Sequence, residues 1–415
     1  MIRKLQFALS FLLVLGCQSV YTKMATFPGD ILITITCVLT LIVLSVIQLE
    51  EMKMTVRSFV LKRFLVNCMF MNSLIVLIFV MNIFFPYRNG NQIISIKESF
   101  MILSLLTVFF DLIYMYFLLK KNNKYYFIKD IINSVFVINV ISLFFYTLGP
   151  TLKILSPTNT VSISWGGTKT IASFYNVFFI SQPGAYSILS QGRNTGIFVE
   201  GPMYAFVIVI AILFELFLLE NKKKYRMLIG LIVLITTYST TGLIVTTVGI
   251  VFFIFKNFEN KKGGINLSIM AFTPIILLFA SRFILNLLNE KINMGHSDDV
   301  RINNFSNSIY SWGARPLFGY GFKAEKAGIL TGHTSVFSQV IQDGGLAFLL
   351  FYTIPFISFI RYSLKKKHFD NVFFVLCYLL LIFNTVITYT TISIAVLAFL
   401  KAIELTEEGE LLCDI

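Results

Sequence analysis

Apolar residues in this chain run together in blocks about as long as a bilayer-crossing helix, and polar residues are confined to the gaps between them. Eight blocks suit single spans: 5–21, 31–49, 64–85, 99–119, 131–149, 196–219, 265–285 and 345–360. Two further blocks, 227–255 and 372–400, are each 29 residues long, too long for one upright helix and short for two. Charge decides between these. Lys222, Lys223, Lys224 and Arg226 precede the first block, and Lys256, Lys261 and Lys262 follow it. Basic loops stay on the cytoplasmic side, so an even number of crossings separates the two clusters. The block therefore reads as two short helices turning near Ser239, Thr240 and Thr241. By analogy, 372–400 reads as a second pair turning near Tyr389 and Thr390.

The pattern predicts an all-α polytopic membrane protein of about 12 transmembrane helices. Both termini are expected in the cytoplasm, and residues 1–415 are expected to form a single integral membrane domain. Two outer loops are long, 150–195 and 286–343, and a surface of folded loop and short helices should cap the outer face there. Composition agrees with this. The chain is 56% hydrophobic and 13% charged, against about 25% charged in a soluble domain, which excludes an ordinary cytosolic enzyme. A net charge of +13 could suggest nucleic acid, but the basic residues sit in the short gaps of a sided membrane protein, so no nucleic-acid partner is expected. Cys17, Cys37, Cys68 and Cys377 lie in apolar runs and Cys413 in the tail, which offers neither a disulfide framework nor a metal cluster. Arg3, Lys4 and the run ending Val14-Leu15-Gly16-Cys17 have the outline of a lipoprotein signal; a first transmembrane helix explains the same residues.

Candidate chemistry gathers at the outer ends. The stretch Gly192-Arg193-Asn194-Thr195-Gly196-Ile197-Phe198-Val199-Glu200-Gly201-Pro202 opens the sixth span, which runs inward, so the positive end of its dipole lies beside Arg193. A helix N-terminus next to an arginine suits phosphate. The plain alternative is an arginine that snorkels to lipid headgroups. The eighth span starts at Ser239-Thr240-Thr241-Gly242 and the tenth after Asp343-Gly344-Gly345, so three inward-running helices present N-termini to one face, either to an anion or to ordinary caps. The second long loop supplies Arg301, then Trp312-Gly313-Ala314-Arg315-Pro316-Leu317-Phe318-Gly319-Tyr320-Gly321-Phe322, then His333. Its rings fit sugar faces or a membrane aromatic belt. His333 could exchange a proton with a hydroxyl or be structural. His296-Ser297-Asp298-Asp299 reads by default as a solvated loop rather than a cation site. Asp111 and Glu215, the charges inside spans, lie toward cytoplasmic ends, where partial solvation is expected.

Three of these segments resemble the bacterial O-antigen polymerase and ligase superfamily, specifically its Wzy-type polysaccharide polymerases. They are Arg193-x-x-Gly196-x-Phe198-x-Glu200, then Tyr238-Ser239-Thr240-Thr241-Gly242, then Pro316-Leu317-Phe318-Gly319-Tyr320-Gly321 followed by His333 and Gly344. This chain has Glu200-Gly201-Pro202 where the family often has Glu-Pro, and Thr240 where it often has Arg. The resemblance implies a GT-C-like fold in the bacterial cytoplasmic membrane, without cofactor or metal. It implies inverting transfer of a growing glycan from undecaprenyl diphosphate onto a lipid-linked oligosaccharide repeat unit at the outer face. Arg193 and Arg301 would stabilise the departing diphosphate and His333 would take the acceptor proton, with Glu200, Arg315, Tyr320 and Ser239 binding substrate. Partners so implied are the lipid-linked oligosaccharide, the lipid bilayer and a chain-length regulator protein. A ligase of the same superfamily has the same donor chemistry. A flippase or transporter for lipid-linked sugars would instead show midplane charges and paired halves.

Overall fold

In hydrocarbon a backbone must satisfy its polar groups within its own segment, so the apolar blocks fold as helices. A computed structural model describes residues 1–26, 28–52, 54–85, 96–182, 192–259, 282, 285–286, 297–322, 333 and 335–413. Its first half contains α1 (Ile2–Leu15), α2 (Val20–Lys23), α3 (Gly29–Glu50), α4 (Met54–Phe84), α5 (Ile96–Ser104), α6 (Phe110–Leu119) and α7 (Lys121–Tyr146). The second half contains α8 (Gly201–Leu213), α9 (Lys224–Thr236), α10 (Thr240–Glu259), α11 (Ser297–Ala314), α12 (Val336–Lys365), α13 (Phe369–Phe383) and α14 (Thr391–Cys413). Among the described residues, six helical segments are long and apolar enough to cross a membrane: Gly29–Glu50, Val60–Phe84, Ser99–Leu119, Asn122–Thr151, Gly201–Leu218 and Val336–Lys365. Thr240–Ile254, Phe369–Phe383 and Thr391–Ile403 are shorter apolar helices. The chain is thus a polytopic helical membrane protein. The predicted span 265–285 lies outside the described residues.

Both 29-residue blocks divide into two helices, as expected from charge for the first and by analogy for the second. The first breaks between α9 and α10, the second between α13 and α14. Burial then sorts the helices. Every residue of α8 except Pro202 is buried, as befits a helix apolar all round. Only 22% of the apolar window of α3 is buried, against 89% for Gly201–Leu218. With lipid as apolar as leucine, helix association rests on close packing rather than on expelling water. Aromatic contacts supply it: Phe117, Phe127, Phe399, Phe214 and Phe374 form a run of rings with centroids 5.0 to 6.1 Å apart.

The bundle has two distinct ends. At one, Arg3 pairs with Asp130, Lys120 with Glu51, Lys256 with Asp370, and Arg226 lies 3.9 Å from Glu215. Glu215 departs from expectation: it is 1% exposed, and one carboxylate oxygen accepts the Lys223 amide at the turn into α9. Asp111 is half-buried and accepts a hydrogen bond from Asn72 at 2.7 Å. α14 antiparallels α1, with the Thr391 hydroxyl donating to the Leu13 carbonyl at the opposite end.

That opposite end carries a sheet where loop and short helices were expected. β1 (Asn159–Ser164), β2 (Thr168–Phe174) and β3 (Phe178–Ile180) form an antiparallel meander in the order β1-β2-β3. Their alternation of Thr and Ser with Val, Ile and Phe has the two-residue period of a strand. Gly166 and Gly167 turn between the first two at positive φ. Tyr175 and Asn176 also take positive φ in the second turn, where the Asn176 side chain accepts from Ser173 Oγ and Asn159 Nδ2. Phe174 and Phe178 seat this sheet on Phe145 and Tyr146 of α7. In the second long loop, α11 supplies the expected helix. The helix expected from 345 instead begins at Val336 and is interrupted at Gly345 (φ 57°, ψ −145°).

Candidate active site

The segment from Arg193 to Glu200 threads through the sheet end as buried, irregular backbone, a conformation tolerated at membrane depth only inside protein. Every polar group along it therefore needs an internal partner. The Asn194 amide donates to Thr236 O at 3.0 Å, its side-chain nitrogen to Thr236 Oγ1 at 2.9 Å, and its side-chain oxygen accepts from Ser142 and from the Gly196 amide. Thr195 bonds the Phe179 carbonyl, and Ser19 pairs with Phe198 as an isolated bridge. Gly196 sits at φ +54°, where a Cβ would lie 2.9 Å from the Tyr204 ring. Phe198 stacks on that ring at 5.1 Å. Most of the first motif thus builds the entry to α8.

Two members of that motif face the start of α8. Arg193 is 8% exposed, and its Nη1 is 3.5 Å from Gln182 Oε1, which also accepts the Gly201 amide at 3.2 Å. Glu200 is the N-cap residue, extended at φ −151°, with Pro202 in the first turn. Gly201 explains the departure from Glu-Pro. A Cβ there would lie 2.7 Å from the Thr237 carbonyl and 3.3 Å from Arg193 Cδ. The glycine lets Arg193 and the α9–α10 turn close onto the helix start.

That turn completes a cleft. Tyr238 takes φ 52°, and Ser239 Oγ accepts the Gly242 amide at 3.3 Å, capping α10. Pro202, Phe206, Ser239, Thr240, Thr241 and Gly242 line one side of the cleft; Leu381, Asn384 and Thr385 line the other. The N-termini of α8 and α10 therefore open on one space, with Arg193 directly behind Gly201. Thr240, where the family often has Arg, is a wall residue here.

The third motif braces the interruption of α12. A break in a helix orphans amides and carbonyls on either side of it. Leu346 and Ala347 donate to the Pro316 and Leu317 carbonyls at 2.8 and 3.1 Å, while Tyr320 and Gly321 donate to the Gln342 and Asp343 carbonyls at 2.8 and 2.9 Å. Gly319 and Gly345 both have positive φ, and a Cβ on Gly345 would lie 2.6 Å from the Pro316 carbonyl. Tyr320 is buried, with its hydroxyl donating to Ser311 O at 3.0 Å. Arg315 lies 5.8 Å over the Tyr320 ring and donates to Phe85 O at 3.0 Å.

Bracing this break sets the position of Asp343. Its Oδ1 lies 3.8 Å from His333 Nε2, and both side chains are fully enclosed. Tyr389, in the α13–α14 connection, donates its hydroxyl to Asp343 Oδ2. Burial pushes the His333 imidazole down to about 4, so the ring is neutral at pH 7. The same connection carries the cleft residues Asn384 and Thr385, and the Thr385 carbonyl accepts the Val336 amide at 3.0 Å. One turn thus ties the cleft beside Arg193 to the His333 cluster.

Arg301 lies on α11; its side chain, like His296, Asp298 and Asp299, lies outside the described residues. Among the described residues no three His, Cys, Asp or Glu side chains group as metal ligands. Residues absent from the expected site are Gln182, Asp343, Tyr389, Asn384 and Thr385. Of these, Asp343 adjoined the Asp-Gly-Gly triplet and Tyr389 the turn read in 372–400, but neither was read as a site residue.

No curated protein and no solved structure gives a significant match. One family model does match: that of the O-antigen ligase family, over residues 225–344. This stretch runs from the start of α9 to the interruption of α12 and contains Ser239, Arg301, Arg315, Tyr320 and His333. Arg193 and Glu200 precede it. Its match supports membership of this chain in the O-antigen polymerase/ligase superfamily.

Proposed function

We propose that the chain is a polysaccharide polymerase, a glycosyltransferase that moves a growing glycan from undecaprenyl diphosphate onto a lipid-linked oligosaccharide repeat unit. The sheet end would face outward from the bacterial cytoplasmic membrane with both termini inside, and a chain-length regulator would be a partner. One observation carries the reading: α8 and α10 begin on one cleft beside buried Arg193, at the end of the bundle that also holds His333. Each helix N-terminus contributes roughly half a positive charge.

In this reaction the acceptor hydroxyl attacks the anomeric carbon with inversion, the bond to the diphosphate breaks, and the diphosphate departs with the electron pair. Negative charge on the leaving group grows along the way. Arg193, Arg301 and the two helix starts favour that charge more in the transition state than in the ground state, which is what accelerates the reaction. Neutral His333 takes the hydroxyl proton. Glu200, Ser239, Arg315 and Tyr320 shape the substrate-binding rim. Positioned dipoles and cations supply the charge stabilisation, so no metal enters the scheme. Both lipid tails stay in the bilayer while their headgroups meet.

The description of the matched family favours a second reading, ligation of finished glycan to the core sugar of lipid A. Product size separates the two. Purified protein in nanodiscs, given lipid diphosphate-linked repeat units in chelator, should yield a ladder of lengthened glycans. Transfer only to a lipid A core acceptor would establish the ligase, and no transfer to either acceptor would refute both.

A further inference from the structure

His333 does not act alone in its pocket. It faces Asp343, a carboxylate ten residues on that a smooth helix would have carried elsewhere. Asp343 ends the first segment of α12, and the Gly345 break together with the Pro316–Gly321 brace fixes where its side chain falls. The two carboxylate oxygens have different neighbours: Oδ2 receives the Tyr389 hydroxyl, and Oδ1 lies 3.8 Å from His333 Nε2. Tyr389 is itself placed by stacking on Phe348, with centroids 6.1 Å apart. A hydrogen bond from one imidazole nitrogen to a carboxylate selects one tautomer and one ring orientation.

We propose that Asp343, oriented by Tyr389, is a positioning residue that holds His333 with Nε2–H toward Oδ1, so that Nδ1 is the nitrogen that receives the acceptor proton. This rests on the reading of His333 as the base. As the acceptor O–H breaks, its proton passes to Nδ1, its oxygen bonds the anomeric carbon, and the diphosphate leaves with the electrons of the old bond. The imidazolium so formed sits against the Asp343 carboxylate, which strengthens as an ion pair at that moment. The distance of 3.8 Å exceeds a hydrogen bond, and contacts of this kind commonly shorten when substrate binds. Asp343 touches no substrate and acts only through His333.

Two readouts on the full chain in nanodiscs test this. In glycan transfer, Asp343→Asn should lower kcat by about 10- to 100-fold with KM little changed. In a His333→Gln background the same change should cost nothing further, because a group acting through the imidazole has nothing left to act on. A wild-type kcat for Asp343→Asn, or losses that multiply in the double variant, would overturn the proposal. Independently of activity, ¹⁵N-histidine NMR should show His333 as the Nε2–H tautomer. The chain has three histidines, so the signal can be assigned by the His333→Gln variant. Asp343→Asn should mix the tautomers and lower the titration midpoint, and Tyr389→Phe, the milder change if Asp343→Asn folds poorly, should do so partially. An unaltered tautomer in both would also overturn it. A wild-type protein inactive toward every acceptor would refute the polymerase and ligase readings, while the NMR result would still decide the positioning claim.

Discussion

The two ends of the bundle solve the problem of polar groups next to a membrane in opposite ways. At the ion-pair end, charged side chains pair across helix ends: Lys120, Glu51, Lys256 and Asp370 remain 30 to 46% exposed, while Asp130 and Glu215 are buried beside Arg3 and Arg226. At the sheet end, Arg193, Asn194, Thr195, Ser239 and Asp343 are buried; Asn194 bonds the Thr236 hydroxyl, Thr195 the Phe179 carbonyl, and Ser239 the amide of Gly242. Exposed pairs orient a chain in the bilayer and tolerate change, since each contributes little. Buried polar groups fixed by backbone are preorganised and sensitive to small shifts.

Substitutions should respect this asymmetry. The largest effect is expected for Arg193→Ala, which removes the cation behind the α8 start; glycan lengthening should fall by about 100- to 1,000-fold while membrane insertion is retained. Ladder formation at the wild-type rate would remove Arg193 from the site. Next come the glycines of close approach. Gly345→Ala places a Cβ 2.6 Å from the Pro316 carbonyl at positive φ, and about 2–4 kcal/mol of stability should be lost in thermal unfolding. Gly201→Ala meets Thr237 O at 2.7 Å without the φ penalty and should lose about 1–3 kcal/mol.

Smaller effects probe titration and capping. The unfolded chain binds a proton on His333 near 6.5 and the folded chain near about 4, so between those values folding releases a proton. Stability should therefore fall as pH is lowered through that window, and the drop in melting temperature from pH 7 to pH 5 should be smaller in His333→Gln. Equal drops would place the imidazole in solvent. Ser239→Ala removes the α10 cap and should lower stability by about 1 kcal/mol. At the other end, Lys256→Ala should cost at most about 1 kcal/mol and leave glycan transfer unchanged. A large loss there would erase the distinction between the ends.

Much of the fold was legible because it depends on local rules. Basic clusters flanking 227–255 pointed to two helices there, and the block does divide into α9 and α10. The β1–β3 sheet escaped because its alternating runs are short and lie in a stretch read as loop. Helix α12 began earlier than expected because Ser338, Gln339, Gln342 and Asp343 look like loop residues, whereas burial against α11 and the brace makes them helical. The candidate site was legible in part. Arg193 and Ser239 stood out beside helix starts, and His333 by residue type in the second long loop. Asp343 and Tyr389 did not, since they lie 46 residues apart and meet only through the break in α12 and the α13–α14 connection. The motif glycines told of close approach but not of what approaches.

In the proposed reaction the diphosphate of the donor lipid sits at the starts of α8 and α10. Photocrosslinking tests it most directly, with a lipid diphosphate-linked glycan that carries a diazirine beside the diphosphate, followed by peptide mapping. Adducts are expected within 193–202 and 237–242, lost when unlabelled donor is added in excess. Competable adducts at the ion-pair end, around 222–226, with none near Arg193, would contradict it.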